Sequence, residues 1–407
     1  MKKIYPCVVG LGYVGLPLFV RLKNKFSTIG FDINKDRVGY LLKKQDQNKE
    51  FSKNDLILKN NSVITNNVKN IKKANFFIVT VPTPVNQKFE PDLKFLKNAV
   101  TIIGKNLKKD DIIFIESTIY PSVTQNFCIP ILERESKLKI NKDFIIGYSS
   151  ERINPGDKKH SVENINKVVA IETNNKKILK KVKTVYKIIS KKIILSKFIK
   201  EAETSKVIEN IQRDLNIALM NEIFLICEKL KINFNEVKKL ALTKWNFHNY
   251  SPGLVGGHCL PVDPYYLAYI AKKKNYPSEV ILSGRKVNNN MKKYIIKKIT
   301  ELIKKNKFNT KILLFGASYK PNVADIRNSI PLNVYKFLKK KYRKKIFCID
   351  TFVDLKIAKK LHILNKIDKI KYDYFIPLVF HKNMKLIFKK VLKNNKKIKF
   401  LNLIPSE

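Results

Sequence analysis

The sequence predicts an α/β protein in which two doubly wound sheet regions flank a central helical segment. Three observations carry this reading. Short β-rich runs alternate with longer mixed segments as far as residue 198, helical periodicity takes over to residue 305, and strand-like runs return from residue 306 to residue 407. That order implies parallel sheets built from βαβ units, with a helical domain between them.

In the first region, "YPCVVG", "TIGFD", "NFFIVTVP", "DIIFIEST", "DFIIGYSS" and "KVVAIET" read as strands. The first runs directly into "GLGYVG", a G-x-G-x-x-G at Gly10, Gly12 and Gly15 with Tyr13 and Val14 between them. Those glycines allow a tight turn, close approach of backbone to a pyrophosphate, and packing of the next helix, whose N-terminus then faces the phosphates. Asp32 closes the second strand 17 residues beyond Gly15, where a carboxylate accepts a ribose 2′-hydroxyl and repels a 2′-phosphate. The first region is therefore expected to be a Rossmann-like NAD-binding domain over residues 1–198.

From residue 199 the pattern is helical. Ile208, Ile211, Leu215, Leu219 and Ile223 recur at three and four and predict a long helix with an apolar seam. Lys206, Asn210 and Arg213 make a polar stripe roughly opposite it. "SEVILSGRKVNNNMKKYIIKKITELIKK" predicts another long helix, and residues 199–305 form the expected central, dimerising and catalytic domain. In the third region "KILLFGAS", "KIFCID", "DYFIPLVFH" and "IKFLNLI" read as strands. Only Gly316 stands where a fingerprint would be, so residues 306–407 read as a second Rossmann-like half without a second NAD site.

Composition narrows the function classes. The formal charge is +49, yet only eight of the 82 basic residues are arginine, and the lysines are spread over nearly every segment together with Asn and Ile. That is the mark of compositional drift rather than a nucleic-acid surface, so no nucleic-acid partner is expected. Arg152, Arg213, Arg285 and Arg327 stand in polar contexts where a planar fork suits carboxylate or phosphate. With no apolar run of about 18 residues, no membrane span is expected. The opening "MKKIYPCVVGLGYVGLPLFV" imitates a signal peptide but lacks a small-residue cleavage site, so the chain reads as unprocessed and cytoplasmic. Five cysteines, widely spaced and without a C-x-x-C, argue against a disulfide framework or a metal site.

The stretch "SPGLVGGHCLPVDPYYL", Ser251 to Leu267, holds three of only 13 glycines, Gly253, Gly256 and Gly257. Their density predicts a constrained loop. Cys259 within it is either a buried apolar side chain or a presented nucleophile, whose thiolate a cation such as Lys206 would favour. Asp263 before Pro264 reads as an N-cap for the helix that follows. A reactive cysteine, a dinucleotide cofactor and carboxylates together suggest oxidation through a thioester.

"VPTP" at Val81 to Pro84, "EST" at Glu116 to Thr118, "SERINPG" at Ser150 to Gly156, "EAETSKVIENIQRDLNIALMNE", "VGGHCLPVDPYYL", "GRKVNNNM" and "YKPNVADIRNS" follow one another in an order that resembles the UDP-glucose/GDP-mannose dehydrogenase family. The phrase "TKWNFHNYSPGLVGGHCLPVDPYYL" is most similar to the branch that acts on UDP-N-acetyl-D-glucosamine or galactosamine, of the Vi-polysaccharide and O-antigen type. The resemblance implies a four-electron oxidation of the sugar C6 alcohol with two NAD, for surface polysaccharide synthesis, in a homodimer. It implies that Cys259 forms a thiohemiacetal and then a thioester. Lys206, Asn210 and Asp263 would hold water and stabilise charged oxygen, Glu151 would be the base for hydrolysis, and Thr118 would orient water.

In the same way Gly10, Gly12, Tyr13, Val14, Gly15, Asp32, Arg37, Thr83, Thr118 and Arg327 resemble the NAD-binding set. Glu151, Arg152, Lys206, Asn210, Arg213, Gly257, Arg285 and Lys320 would meet the UDP-sugar. UDP-glucose or GDP-mannose as substrate, and a catalytically silent relic, are the alternatives. The chain departs from the family pattern in "SSER", with Ser150 for proline, in "YPS", with Ser122 for glycine, and in "ADIRNSIP", with Ala324 for aspartate. None of the three removes a named catalytic side chain.

Overall fold

The computed structural model describes residues 3–48, 50–152, 162–306 and 310–405. Their contacts group into two units, Met1–Glu209 with Tyr265–Tyr276, and Asn210–Pro264 with Pro277–Glu407. The motif residues Ile153 to Gly156 of "SERINPG" lie outside the described residues.

The first unit is built on eight strands: β1 (Pro6–Val9), β2 (Ile29–Phe31), β3 (Val63–Thr65), β4 (Phe76–Val79), β5 (Asp111–Ile115), β6 (Phe144–Ser149), β7 (Asn166–Ile171) and β8 (Lys192–Ser196). Their order in the sheet is β3-β2-β1-β4-β5-β6-β7-β8. Neighbours are parallel except β6 and β7, which run antiparallel, a single reversal within the predicted parallel sheet. The pleat sends alternate side chains to two cores: on β4, Phe77 and Val79 enter one, Phe76 and Ile78 the other. Burial on both faces explains why the inner strands read as unbroken apolar runs. The outer strands β3 and β8 were not among the predicted runs. Val63 on β3 and Lys192, Ile194 and Leu195 on β8 are exposed, so neither edge has the continuous apolar signal of the centre.

The second unit carries β9 (Ile312–Phe315), β10 (Ile346–Ile349), β11 (Tyr374–Pro377) and β12 (Lys399–Phe400), all parallel in the order β10-β9-β11-β12. All four coincide with the predicted runs. The helix Glu279–Lys305 buries Met291, Ile295, Ile299 and Ile303, spaced by four, in one core with Met220, Phe224 and Cys227 of the helix Ile199–Leu230 and with Ile312 and Leu314 of β9. Gly284 lets the two helices approach closely there. A Cβ on it would stand 2.4 Å from Leu215 Cδ2.

The helix Ile199–Leu230 departs from the expected amphipathic pattern. Of the predicted seam only Ile211 is buried, and Ile208 and Leu219 are exposed. The inward positions include Glu203, Lys206, Asp214 and Asn221, polar groups that a periodicity reading assigns to solvent. Three of them are hydrogen-bonded within the protein, which is what makes their burial tolerable. Among the described residues, no helix is long and apolar enough to cross a membrane.

Candidate active site

In the first unit the glycine fingerprint has the geometry its spacing predicts. Gly10 has φ +96°, and a Cβ on Gly15 would stand 1.8 Å from the Gly10 carbonyl oxygen and 2.4 Å from Thr80 Oγ1. Neither position admits a side chain. Thr80 Oγ1 donates to the Gly10 carbonyl at 2.7 Å and holds the turn closed. Gly12 differs: no protein atom lies within 4 Å of where its Cβ would be, so the missing side chain keeps a cradle open in front of the helix Gly15–Leu22. The residues present therefore fit a dinucleotide pyrophosphate. Tyr13 and Val14, between the glycines, are half-buried.

Asp32 leaves the end of β2 half-buried. Its Oδ2 accepts from Leu11 N–H at 2.8 Å and its Oδ1 from Asn34 N–H at 2.9 Å. Arg37 is spent inside the protein, with Nε donating to the Leu11 carbonyl and Nη1 to Asp46, both at 2.9 Å. Its visible part is to brace the fingerprint loop. Thr83 Oγ1 donates to the Thr118 carbonyl at 2.6 Å, and the Tyr266 hydroxyl donates to the Thr83 carbonyl.

Glu151, just beyond β6, is buried, and its Oε2 accepts from Lys167 Nζ at 3.1 Å. The same ammonium donates to Glu116 at 2.6 Å. Burial pulls Lys167 toward neutrality, but the two carboxylates, Glu116 foremost, outweigh it and hold its pKa above the ordinary lysine value. Arg152 turns to Glu209 and to the Asn166 carbonyl, the latter at 3.0 Å. Lys206 is buried, not solvated.

In the second unit Cys259 is the exposed member of the five cysteines; the other four are buried. Burial pushes the Cys7, Cys128 and Cys348 thiols well up, out of reach of the thiolate form. The loop holding Cys259 is fixed at several points. Gly257 has φ +91°, with its missing Cβ 2.7 Å from the Tyr319 ring, and a Cβ on Gly256 would meet the Asn328 carbonyl at 2.8 Å. Asn221 pairs both backbone groups of Gly253, accepting from its N–H at 2.8 Å and donating to its carbonyl at 3.1 Å. Cys259 is thus presented by a clamped backbone.

Asp263 opens the helix Asp263–Lys273 one turn past Cys259, whose carbonyl accepts from Asp263 N–H at 2.9 Å. Its carboxylate accepts from the Asn210 amide at 2.5 Å. The structure thus joins two predicted site residues and puts Asp263 in the first helical turn rather than before it. Arg285 is buried, with Nη1 on Asp214 at 2.6 Å and Nη2 on Asn289 at 2.7 Å, while Arg213 is exposed. Arg327 grips Asp325, its Nη2 donating at 2.7 Å, and His258 Nε2 stands 3.7 Å from the same carboxylate. Hydrogen bonds from His258 and Arg327 outweigh burial and hold Asp325 well below the usual carboxylate range. Lys320 is half-buried with its ammonium over the Tyr319 ring.

Sequence reasoning missed Asn221, Asn288, Glu203 and Lys167. Asn288 links Asn221 to Asp214 by bonds of 2.8 Å on either side. Its place in "GRKVNNNM" was the available signal.

Comparison with known proteins agrees with this geometry. Residues 3–190 match the NAD binding domain of the UDP-glucose/GDP-mannose dehydrogenase family, and residues 200–290 match that family's central domain. The chain belongs to this family. It is 44% identical over 342 residues to a UDP-N-acetyl-D-glucosamine 6-dehydrogenase of Pseudomonas aeruginosa, across 83% of this chain and 81% of that one. A UDP-N-acetyl-D-glucosamine 6-dehydrogenase of Salmonella typhi is 41% identical over 385 residues, 93% of this chain and 90% of its own. Among solved structures, the UDP-N-acetyl-mannosamine dehydrogenase Cap5O of Staphylococcus aureus superposes with a TM-score of 0.83 at 27% identity, covering 98% of each chain. As a member of the dehydrogenase family the chain is an NAD-dependent oxidoreductase, and the fingerprint at Gly10, Gly12 and Gly15 falls in the part that matches the NAD binding domain.

Proposed function

We propose that this dehydrogenase oxidises the C6 alcohol of a UDP-N-acetylhexosamine, UDP-N-acetylglucosamine first among them, to the uronate, for surface polysaccharide synthesis. The observation that carries the chemistry is Cys259, an exposed thiol on a clamped loop next to the bonded pair Asn210 and Asp263. The substrate rests on the 41% and 44% identity to enzymes named for UDP-N-acetyl-D-glucosamine, against 31% to 35% to enzymes named for UDP-N-acetyl-D-mannosamine.

NAD supplies the hydride acceptor for both oxidations. The Cys259 thiolate adds to the C6 aldehyde to give a thiohemiacetal, and loss of hydride leaves a thioester on its sulfur. Lys206, Asn210 and Asp263 are read as the groups that hold water and stabilise charge on the sugar oxygen. Glu151 is read as the base for thioester hydrolysis and Thr118 as a residue that orients its water. Arg152, Arg213, Gly257, Arg285 and Lys320 are proposed sugar-nucleotide contacts, and Thr83, Arg37 and Arg327 proposed cofactor contacts. Residues 199–305 are proposed as the dimerising segment and residues 306–407 as the UDP-binding half.

The test is NADH formation at 340 nm with UDP-N-acetylglucosamine, UDP-N-acetylgalactosamine, UDP-glucose and GDP-mannose, counted per sugar consumed. About two NADH per UDP-N-acetylglucosamine supports the proposal. Turnover of UDP-glucose or GDP-mannose alone overturns the substrate, and silence on all four with NAD bound overturns the activity. Cys259→Ala should lose NADH production and keep NAD binding.

A homodimer is proposed from exposed apolar side chains. Leu219, Ile226 and Leu230 are spaced at seven and four along one helix and are 53%, 50% and 63% exposed, and Leu240 and Trp245 are 70% and 92% exposed. Light scattering decides it: a dimer that Leu219→Glu with Ile226→Glu converts to a monomer supports the surface, and a monomeric parent protein removes it.

A further inference from the structure

Lys167 stands on β7 without exposed surface, between two carboxylates. Glu116 follows β5, and its second oxygen accepts from the Tyr186 hydroxyl at 2.8 Å, from the helix Lys176–Ile189. Glu151 follows β6. Three adjacent strands and a helix thus bring four polar side chains together, 51 and 70 residues apart in sequence between Glu116 and its two partners.

Burying an ammonium is costly unless it is paired, and Glu116 is the nearer of its two carboxylate partners, at 2.6 Å against 3.1 Å. The longer bond is the one to Glu151. It runs from the deepest member of the cluster to the carboxylate that lies at the end of the sheet. We propose that Lys167 is a positioning residue for Glu151, fixing the orientation of its carboxylate for proton transfer, with Glu116 and Tyr186 fixing Lys167 in turn. This rests on Glu151 being the base of thioester hydrolysis. In that step water oxygen bonds to the thioester carbonyl carbon, one water proton goes to Glu151, and the carbon–sulfur pair leaves with Cys259 as thiolate. A base that swings off line slows this step and leaves both hydride transfers intact.

Among the described residues, the ionisable groups behind Glu151 include Lys167 on β7, Glu116 after β5 and Tyr186 on the helix, while Arg152, its chain neighbour, is turned to Glu209.

The experiment uses the full chain with UDP-N-acetylglucosamine. Glu151→Gln is the reference, and the double variant Lys167→Met with Glu116→Gln removes both members of the closest buried ion pair. NADH release is followed by stopped flow, and intact mass reports acylation of Cys259. The double variant is expected to give a burst of about two NADH per site and then a steady-state rate roughly ten- to a hundredfold lower. An acyl adduct on Cys259 accompanies it. If that variant fails to fold, Lys167→Arg is read in the same way, since it keeps the charge and moves the donors. A folded variant with the parent rate and no adduct overturns the positioning role while Glu151→Gln still bursts. Normal turnover by Glu151→Gln overturns the base itself, and the inference with it.

Discussion

Ser122 holds a left-handed backbone conformation, φ +76°, and its N–H donates to the buried carboxylate of Glu203, 81 residues away. Thr124 N–H donates to the other oxygen of Glu203 at 2.9 Å. The turn after β5 is therefore held by one carboxylate from the helix Ile199–Leu230. Ser122 stands where the family motif has glycine, and the side chain pays a conformational cost there that glycine would not. Ser122→Gly should raise stability by about 1 kcal/mol, read from the midpoint of urea unfolding. A loss of stability would show that the serine hydroxyl does more than the backbone. Glu203→Ala should cost roughly 2–3 kcal/mol, because one buried and one partly buried N–H lose their acceptor.

The three fingerprint glycines divide by cause. Gly15→Ala drives a methyl group into the Gly10 carbonyl and should damage folding itself. Gly12→Ala meets no protein atom, so its thermal midpoint should match the parent while NAD affinity falls by about tenfold or more, roughly 1.4 kcal/mol. Calorimetric titration with NAD, next to a melting curve, separates the two. Equal NAD affinity in Gly12→Ala would place the pyrophosphate elsewhere.

Asn210 and Asp263 make a pH-dependent prediction. The amide in Asn210 donates to a carboxylate of low exposure. In Asn210→Asp two carboxyl groups face each other and share one proton, so the pair's second proton is held to a higher pH than an ordinary carboxylate. Its stability should be near the parent's at pH 5 and fall as pH rises through that raised value, whereas the parent shows no such loss. Melting temperatures from pH 5 to pH 9 test this, and parallel curves would mean the two side chains are not coupled.

Asp350 carries the opposite sign. It is buried at the end of β10, where burial would raise its pKa, but His381 and the N–H groups of Ala317 and Phe352 outweigh that and leave it lowered. A depressed carboxylate contributes stability that is fully present above its unfolded value, about 3.9, and is lost as pH falls through the folded value. Asp350→Asn should therefore cost roughly 2–3 kcal/mol at pH 7, with the gap to the parent closing below about pH 4. A gap that stays constant through acid would refute the ionic part.

Much of this was legible in sequence because the relevant signals are local. The fingerprint is six residues long, the inner strands are continuous apolar runs, and Cys259 sits in a dense glycine cluster. What escaped is non-local. Lys167 is one lysine among many until the sheet sets it 2.6 Å from Glu116. The inward face of the helix Ile199–Leu230 is polar, so its burial inverts the usual code, in which exposed Leu219 should have been inside and Asp214 outside.

Asp32 and Asp350 end the second-position strands of two sheets. The first is half-buried, bonded to Leu11 and Asn34; the second has no exposed surface and is bonded to Ala317, Ser318, Phe352 and His381. A motif search that scores an acidic residue at a strand end would count both alike. Grafting fingerprint glycines after β9 would then yield a convincing pattern with no hydroxyl reader, since every oxygen it needs is already committed. What separates the two carboxylates is access: Asp32 keeps part of its surface open, and Asp350 keeps none.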